Sequence, residues 1–183
     1  MTSDPGPELA AALALIADVP DFPEPGILFK DITPLLADHA ALTAVIEALA
    51  APGRDDSGRP VVDKVLGMES RGFILGAPVA LALGVGFVPV RKAGKLPRAT
   101  HAVSYALEYG EATLELHQDA LRPGERVLLV DDVLATGGTA KATIELVERC
   151  GASVHAVAML MELGFLPGRD AVGDVDLTTL MTV

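Results

Sequence analysis

The sequence predicts an α/β fold with a mostly parallel central sheet flanked by helices, and three observations carry this prediction. Half of the 183 residues are hydrophobic, which suffices for one sizeable core and argues against two large domains. Ala, Val and Leu dominate and Trp is absent, a balance that suits alternating strands and helices. Short apolar runs typical of buried strands alternate with helical patterns along the chain.

The amino-terminal part of the chain is predicted to hold two helices joined by an extended segment. Apolar residues recur at helical spacing from residue 7 to about 19 and from 38 to about 51, where Asp38 is a suitable N-cap. Two prolines and Gly26 between these helices predict a rigid turn. We therefore expect residues 27–32 to be extended or hooked and to form a candidate lid.

The rest of the chain begins with an exposed loop at 52–60 and then alternates strands with helices. Strands are predicted at 62–68, 86–90 and 126–130, and a helix is predicted at 72–83. Such alternation indicates parallel strands, and ligands of parallel sheets bind beyond the carboxyl ends of the strands. The loops that follow strands are therefore the places to look for a site.

Charge and cysteine content restrict the classes of partner. The formal net charge is −11, which repels polyanions, so neither nucleic acid nor a membrane surface is an expected partner. Cys150 is the single cysteine and cannot form an internal disulfide. The apolar amino-terminal run is preceded by acidic residues and by no Lys or Arg, unlike a signal peptide. We expect a cytoplasmic protein.

The strongest signal for a binding site runs from residue 127 to 152. A buried strand is followed by two aspartates and by a Gly-Thr turn that leads into an amphipathic helix. Glycines let the backbone approach a phosphate, and the first amides of a helix attract the anion, whereas the carboxylates suit ribose hydroxyls, a cation or both. The predicted ribose- and phosphate-binding residues are Asp131, Asp132, Ala135, Thr136, Gly137, Gly138 and Thr139.

The stretch VLLVDDVLATGGT resembles the phosphoribosyl pyrophosphate signature of the type I phosphoribosyltransferases. Residues 22–36, 67–84 and 90–110 are similar to the adenine-specific branch of that family, and the similarity covers residues 22 to 163. The resemblance implies one domain, 1–183, with a five-stranded parallel sheet. It also implies a small hood at about 1–35 and a core at about 60–163.

The activity that the resemblance implies is transfer of the 5-phosphoribosyl group of phosphoribosyl pyrophosphate (PRPP) to adenine. AMP and pyrophosphate would be the products, Mg²⁺ the cofactor, purine salvage the role and a homodimer the assembly. Two alternatives stay open, a 6-oxopurine phosphoribosyltransferase and a regulator that binds PRPP without turnover. Ala135 argues against the first, because the hypoxanthine and guanine enzymes carry Asp at this position. The acidic balance argues against the second.

The resemblance also implies a pyrophosphate site. Arg71 would bind pyrophosphate as a bidentate donor beside the amides around Glu69 and Ser70, and the peptide between these two residues is expected to be cis. A basic cluster in this acidic chain adds further candidates, of which Lys95 would reach the neighbouring subunit's site. The candidate pyrophosphate-binding residues are Glu69, Ser70, Arg71, Arg91, Lys92 and Lys95.

The base pocket that the resemblance implies uses the hooked segment. Leu28 and Phe29 would cover the purine, and the backbone at Lys30, where the family more often has Arg, would read the adenine edge. Leu163 would close the other face of the purine, and Glu108 would be the catalytic carboxylate that accepts its proton. Mg²⁺ is expected to be held by substrate and water, without a direct protein ligand.

Overall fold

The structure is a computed structural model that describes residues 6–106 and 111–183. Helices and a mostly parallel sheet confirm the predicted α/β class. The chain divides into two compact units, Met1–Ala48 and Leu49–Val183. The first unit contains the segment predicted as a hood, and the second contains the large sheet.

The first unit contains a small antiparallel hairpin among short helices. Its elements are α1 (Pro7–Leu13), β1 (Ala17–Pro20), β2 (Leu28–Asp31), α2 (Thr33–Ala37) and most of α3 (His39–Ala50). The prediction of a helix to about residue 19 was wrong, because residues 17–20 pair with 28–31 as a strand. The period of the apolar residues did not reveal this pairing with a distant segment.

The segment predicted to be extended at 27–32 contains β2, and a turn precedes it as predicted. Asp21 has a positive φ of 57°, and its Oδ1 accepts a hydrogen bond from the backbone N–H of Gly26 at 2.8 Å. Asp38 caps α3 as predicted, since its Oδ1 accepts a hydrogen bond from the N–H of Ala41 at 2.9 Å. The N-cap could be predicted because it joins a side chain to backbone only three residues away.

The second unit is built on a seven-stranded sheet with strand order β5-β6-β4-β3-β7-β8-β9. Five neighbouring strands, from β4 to β9 in this order, are parallel, and the antiparallel pair β5-β6 extends the edge beside β4. A 3₁₀ turn at Ala51–Gly53 comes first, and the elements are β3 (Lys64–Met68), α4 (Arg71–Leu83), β4 (Gly86–Lys92), β5 (Thr100–Ala106), β6 (Glu111–His117), β7 (Arg126–Leu134), α5 (Gly138–Arg149), β8 (Ser153–Glu162), α6 (Gly168–Val172) and β9 (Asp176–Thr182).

Helices α4 and α5 cover opposite faces of this sheet. The β3-α4-β4 crossover moves toward one edge and the β7-α5-β8 crossover toward the other, and right-handed crossovers then place their helices on opposite faces. Helix α4 buries Leu75 and Val79, and α5 buries Leu146 and Val147. Within 6–106 and 111–183, no helix has the length and apolarity needed to cross a membrane.

An exposed loop at residues 54–60 precedes β3. An antiparallel bridge joins Arg54 to Pro60, and Nε and Nη2 of Arg59 donate to Oδ2 of Asp55 at 3.2 and 3.1 Å. Nη2 of Arg54 donates to the carbonyl oxygen of Ala82 at 3.0 Å, near the carboxyl end of α4. Because α4 runs antiparallel to the strands, the loop lies near the amino-terminal ends of the parallel strands.

Candidate active site

The aspartate pair lies within strand β7. Asp131 pairs in register with Met159, and the ladder to β8 continues to Leu134. The strand therefore ends four residues later than the predicted Val130, because β8 provides partners for the backbone beyond the apolar run. Asp132 is buried, at 5% exposure.

The phosphate loop, residues 135–139, follows β7 directly and forms a pocket with the strand ends. The pocket is lined by Met68, Asp131, residues 133–140 and Met159, which lie toward the carboxyl ends of β3, β7 and β8. Gly137 has a φ of +79° and precedes the first residue of α5. The structure thus brings all five predicted loop residues together with Asp131, at the open amino terminus of a twelve-residue helix.

Helix α6 lies against the phosphate loop. A Cβ built on Gly137 would come within 2.5 Å of the Ala171 Cβ and 2.6 Å of the Gly168 carbonyl oxygen. A Cβ on Gly168 would come within 2.3 Å of the Ala135 carbonyl oxygen. Sequence reasoning assigned the need for glycine at 137 to phosphate approach, and the structure adds contact with α6 as a second reason.

Tyr105 on β5 covers the start of α5. Its ring would lie 2.8 Å from a Cβ on Gly138, and its hydroxyl is 3.0 Å from Oγ1 of Thr139. Residues 107–110 connect this strand to β6. Glu108, the predicted catalytic carboxylate, is among them and lies outside the described residues.

Arg71 links the aspartate pair to the start of α4. Its Nε lies 2.8 Å from Oδ2 of Asp132, and the two groups form an ion pair. Among the described residues, no donor makes a hydrogen bond to this oxygen. The N–H of Asp132 donates to Oδ1 of Asp131 at 2.9 Å. Burial raises the pKa of Asp131 well above its usual range, and the neighbouring charge of Asp132 raises it further.

Glu69 is the centre of the predicted pyrophosphate cluster. Its carboxylate accepts hydrogen bonds from Nε of Arg91 at 3.0 Å, from the backbone N–H of Lys92 at 2.9 Å and from Nζ of Lys95. Burial alone would raise the pKa of Glu69, but these donors outweigh burial and lower the pKa to about 2. The peptide between Glu69 and Ser70 is cis, as predicted.

Three of the four predicted adenine-binding residues lie on β2 in the first unit. Leu28 is 53% exposed, and Phe29 makes an edge-to-face contact with Phe22 at a centroid distance of 5.1 Å. Nζ of Lys30 donates to Oδ1 of Asp18 at 2.5 Å, on the residue opposite it in the hairpin. The charged group of Lys30 is therefore engaged by its own hairpin.

The fourth adenine candidate, Leu163, follows β8 in the second unit, and its N–H donates to the carbonyl oxygen of Leu134 at 2.9 Å. Beside it lies an ion pair that sequence reasoning missed. Oε2 of buried Glu162 accepts from Nε and Nη2 of Arg169 at 2.9 and 2.7 Å, and from Oγ1 of Thr179 at 3.3 Å. A lone acidic residue at the end of the apolar run AVAMLM was the available signal, because buried carboxylates need partners.

Comparison with known proteins decides the family. The phosphoribosyl transferase domain model matches residues 34–168, which is most of the chain. The chain belongs to the phosphoribosyltransferase family. Within this family, the phosphoribosyltransferase described here is 86% identical to the adenine phosphoribosyltransferase of a Nocardioides species, over 98% of each chain.

Solved structures support the same placement among the phosphoribosyltransferases. The crystal structure of adenine phosphoribosyltransferase from Rhodothermus marinus is 52% identical, with a TM-score of 0.88 over 96% of this chain and 98% of that one. The adenine phosphoribosyltransferase of Trypanosoma brucei, solved with AMP, pyrophosphate and ribose-5-phosphate, is 28% identical. Its TM-score is 0.85, over 100% of this phosphoribosyltransferase and 82% of the other chain.

Proposed function

We propose that the chain transfers the 5-phosphoribosyl group of PRPP to adenine and forms AMP and pyrophosphate. The observation that carries this proposal is the order of three neighbouring features: the phosphate loop, the aspartate pair, and the cluster of Arg71 with Glu69. A 5′-phosphate, a ribose and a pyrophosphate follow one another in the same order in PRPP. The name that the 86% identical relative bears supports adenine as the acceptor.

The reaction displaces pyrophosphate from the anomeric carbon while positive charge develops on the ribose ring. Asp131 and Asp132 would bind the ribose hydroxyls and hold the ring in place for attack. Arg71, which is ion-paired with Asp132, would stabilise the negative charge of the departing pyrophosphate. Lys95, whose Nζ bonds Glu69 of its own chain, would leave this carboxylate to share the role at the neighbouring subunit's site, as the resemblance implies.

Mg²⁺ fits this arrangement as a metal carried by the substrate. Carboxylate oxygens are ligands that Mg²⁺ prefers, and Asp131 lines the pocket with a carboxylate. Among residues 6–106 and 111–183, no three His, Cys, Asp or Glu side chains form a metal-binding group. As the resemblance implies, pyrophosphate and water would hold the ion, which would neutralise charge on the leaving group.

The base-binding roles of Leu28, Phe29, Lys30 and Leu163 stay predictions. The engagement of the Lys30 ammonium by Asp18 favours a main-chain role for this position. Such a role would make the replacement of the family's more common Arg a mild one. The homodimer and the cytoplasmic location also stay predictions, and sedimentation measurements would test the former.

The direct test is an assay of pyrophosphate release from PRPP and Mg²⁺ with adenine, hypoxanthine, guanine or xanthine. We expect release with adenine and at least about 10²-fold less with the other bases, since their hydrogen-bonding edges differ. Preference for a 6-oxopurine would favour the alternative enzyme. Binding of PRPP without release in the presence of any base would indicate a regulator.

Glu108 is proposed to accept the purine proton as the new glycosidic bond forms. Glu108→Gln is then expected to lower kcat by about 10²-fold and to change KM for PRPP much less. Steady-state kinetics across the pH range would measure both. A variant that turns over at the wild-type rate would show that the proton leaves by another route.

A further inference from the structure

Helix α6 packs directly against the phosphate loop. Gly168, the first residue of α6, lies so close to Ala135 that no Cβ fits between them, and the same holds for Gly137 against Gly168 and Ala171. A shift of α6 would therefore change the path of the loop backbone. The position of α6 is a condition for the geometry of the loop.

Helix α6 has only five residues, which are too few to form a stable helix alone. Contacts with the rest of the chain must therefore stabilise it. Arg169, next to Gly168, reaches back to the end of β8, where Nε and Nη2 both donate to Oε2 of Glu162. Nη2 of Arg169 also donates to Oγ1 of Thr179 on β9 at 3.0 Å. One guanidinium thus fastens α6 to the end of β8 and to the middle of β9.

The carboxylate partner is itself fixed by the sheet. The side chain of Glu162 is only 7% exposed, and the carbonyl oxygen of Glu162 accepts a hydrogen bond from the N–H of Val183 at 2.9 Å. The next residue, Leu163, donates to Leu134 at the end of β7, immediately before the phosphate loop. The ion pair and the loop are therefore connected on both sides, through α6 and through the β7-β8 ladder.

We propose that the Glu162–Arg169 ion pair is a positioning device that holds the phosphate loop, through α6, in the geometry that binds the 5′-phosphate. This inference rests on the proposed function and adds two residues outside the predicted site. Stability alone is a weak reason for such a pair, because well-packed apolar residues serve it equally well. A ligand-binding loop needs its supporting contacts fixed within about 0.5 Å, which a two-nitrogen ion pair can supply.

The experiment compares Glu162→Gln, Arg169→Ala and the double variant by calorimetry with ribose 5-phosphate and, separately, with pyrophosphate. We expect ribose 5-phosphate affinity to fall about 10-fold in each single variant and no further in the double variant, because both substitutions break one device. Pyrophosphate affinity is expected to change less than about 2-fold, since the carboxylate of Glu69 bonds Arg91, Lys92 and Lys95, which lie on or just after β4. In kinetics, KM for PRPP is expected to rise more than kcat falls.

Arg59→Ala is the matched control. Arg59 also places Nε and Nη2 on one carboxylate oxygen, that of Asp55, but in the exposed loop at 54–60. It is expected to leave the affinity for both ligands unchanged. If Glu162→Gln does not fold, Arg169→Lys replaces it, because half of the Arg169 side chain is exposed and Lys retains one donor.

The outcomes separate the positioning role from a structural one. Lower melting temperatures with unchanged ribose 5-phosphate affinity below the transition would overturn the proposal, as would equal losses for both ligands. An additive loss in the double variant would also contradict it. Failure of the wild-type protein to bind ribose 5-phosphate would instead contradict the proposed function.

Discussion

Two carboxylates of the site occupy opposite electrostatic environments. Glu69 is surrounded by donors from Arg91, Lys92 and Lys95, and its pKa is lowered to about 2. Asp131 is half-buried beside another carboxylate, and its pKa is raised. Glu69 therefore stays ionised and holds Arg91 and Lys95 in place. A bound cation or hydroxyl donor would stabilise the ionised form of Asp131.

Glu69→Gln is expected to lower the melting temperature at neutral pH and to raise KM for PRPP about 10-fold, because Arg91 and Lys95 lose their anchor. The stabilising effect of Glu69 is complete above the ordinary carboxyl pKa of 4.5 and is lost as pH falls toward about 2. The melting difference between wild type and variant should therefore shrink below about pH 4.5 in a scan from pH 7 to 3. A difference that does not vary with pH would contradict this assignment.

Asp131→Asn is expected to trade function for stability. A raised pKa means that the folded state holds the proton more tightly, so stability falls as pH rises above the ordinary value of 3.8. Removing the charge should then raise the melting temperature at pH 7 while PRPP affinity falls. Asp132→Asn, which breaks the ion pair with Arg71, should lower both quantities and serves as the comparison. Calorimetry and thermal melting would show whether the two variants diverge.

At the scale of elements, the site depends on glycines that let neighbouring helices and strands pack closely. A Cβ on Gly67 of β3 would meet the carbonyl oxygen of Gly72 on α4 at 2.4 Å, and a Cβ on Gly72 would meet Oδ1 of Asp131 at 2.8 Å. The first turn of α4 thus packs directly on β3 and β7. This packing brings Arg71 to the aspartate pair.

Gly137→Ala is expected to destabilise the protein and abolish ribose 5-phosphate binding, because its Cβ collides with α6 as well as requiring a positive φ. Gly84→Ala is the control, since Gly84 has a φ of +69° with no described atom within 4 Å of a new Cβ. The control should cost about 1 kcal/mol and leave binding intact. We expect at least about 2 kcal/mol more at position 137 in denaturant unfolding. An equal loss of unfolding free energy in the two variants would show that contact with α6 does not require glycine at position 137.

Local signals predicted the parallel core and the phosphate loop, and contacts between distant segments account for what was missed. Strand β7 was visible as an apolar run to Val130, but its extension to Leu134 depends on pairing with β8. Strand β1 has the apolar content of a helix and became a strand by pairing with β2. The antiparallel strands β5 and β6 and the last strand β9 carry weaker patterns, because most residues of each are exposed or half-buried.

Among the site residues, too, those with a local sequence signal could be predicted and those that depend on distant contacts could not. Asp131, Asp132 and the loop that follows could be identified because their order along the chain is also their order in space. The engagement of Lys95 by Glu69 and the Glu162–Arg169 pair could not be derived, because each joins residues across a turn or between elements. The pairing of Lys30 with Asp18 likewise depends on the hairpin register.

For the whole molecule, the net charge of −11 opposes the approach of PRPP, although the cluster at Glu69 and Arg71 attracts it at short range. Salt screens distant charges more than adjacent ones. The association rate of PRPP is therefore expected to rise about two- to threefold between 10 and 150 mM NaCl, as stopped-flow binding would show. Adenine, which is neutral, provides the internal control. A steady decrease with salt would indicate that the local cluster dominates at all distances.

The loop at 54–60 has a practical consequence for protein engineering. Its two ends are already joined by the bridge between Arg54 and Pro60. The loop lies near the amino-terminal ends of the parallel strands, whereas the phosphate loop lies at their carboxyl ends. A segment inserted at Ser57 would leave the strand ladders and the pocket lining untouched. The loop is therefore a suitable place to attach a fluorophore or an affinity tag for the binding measurements above.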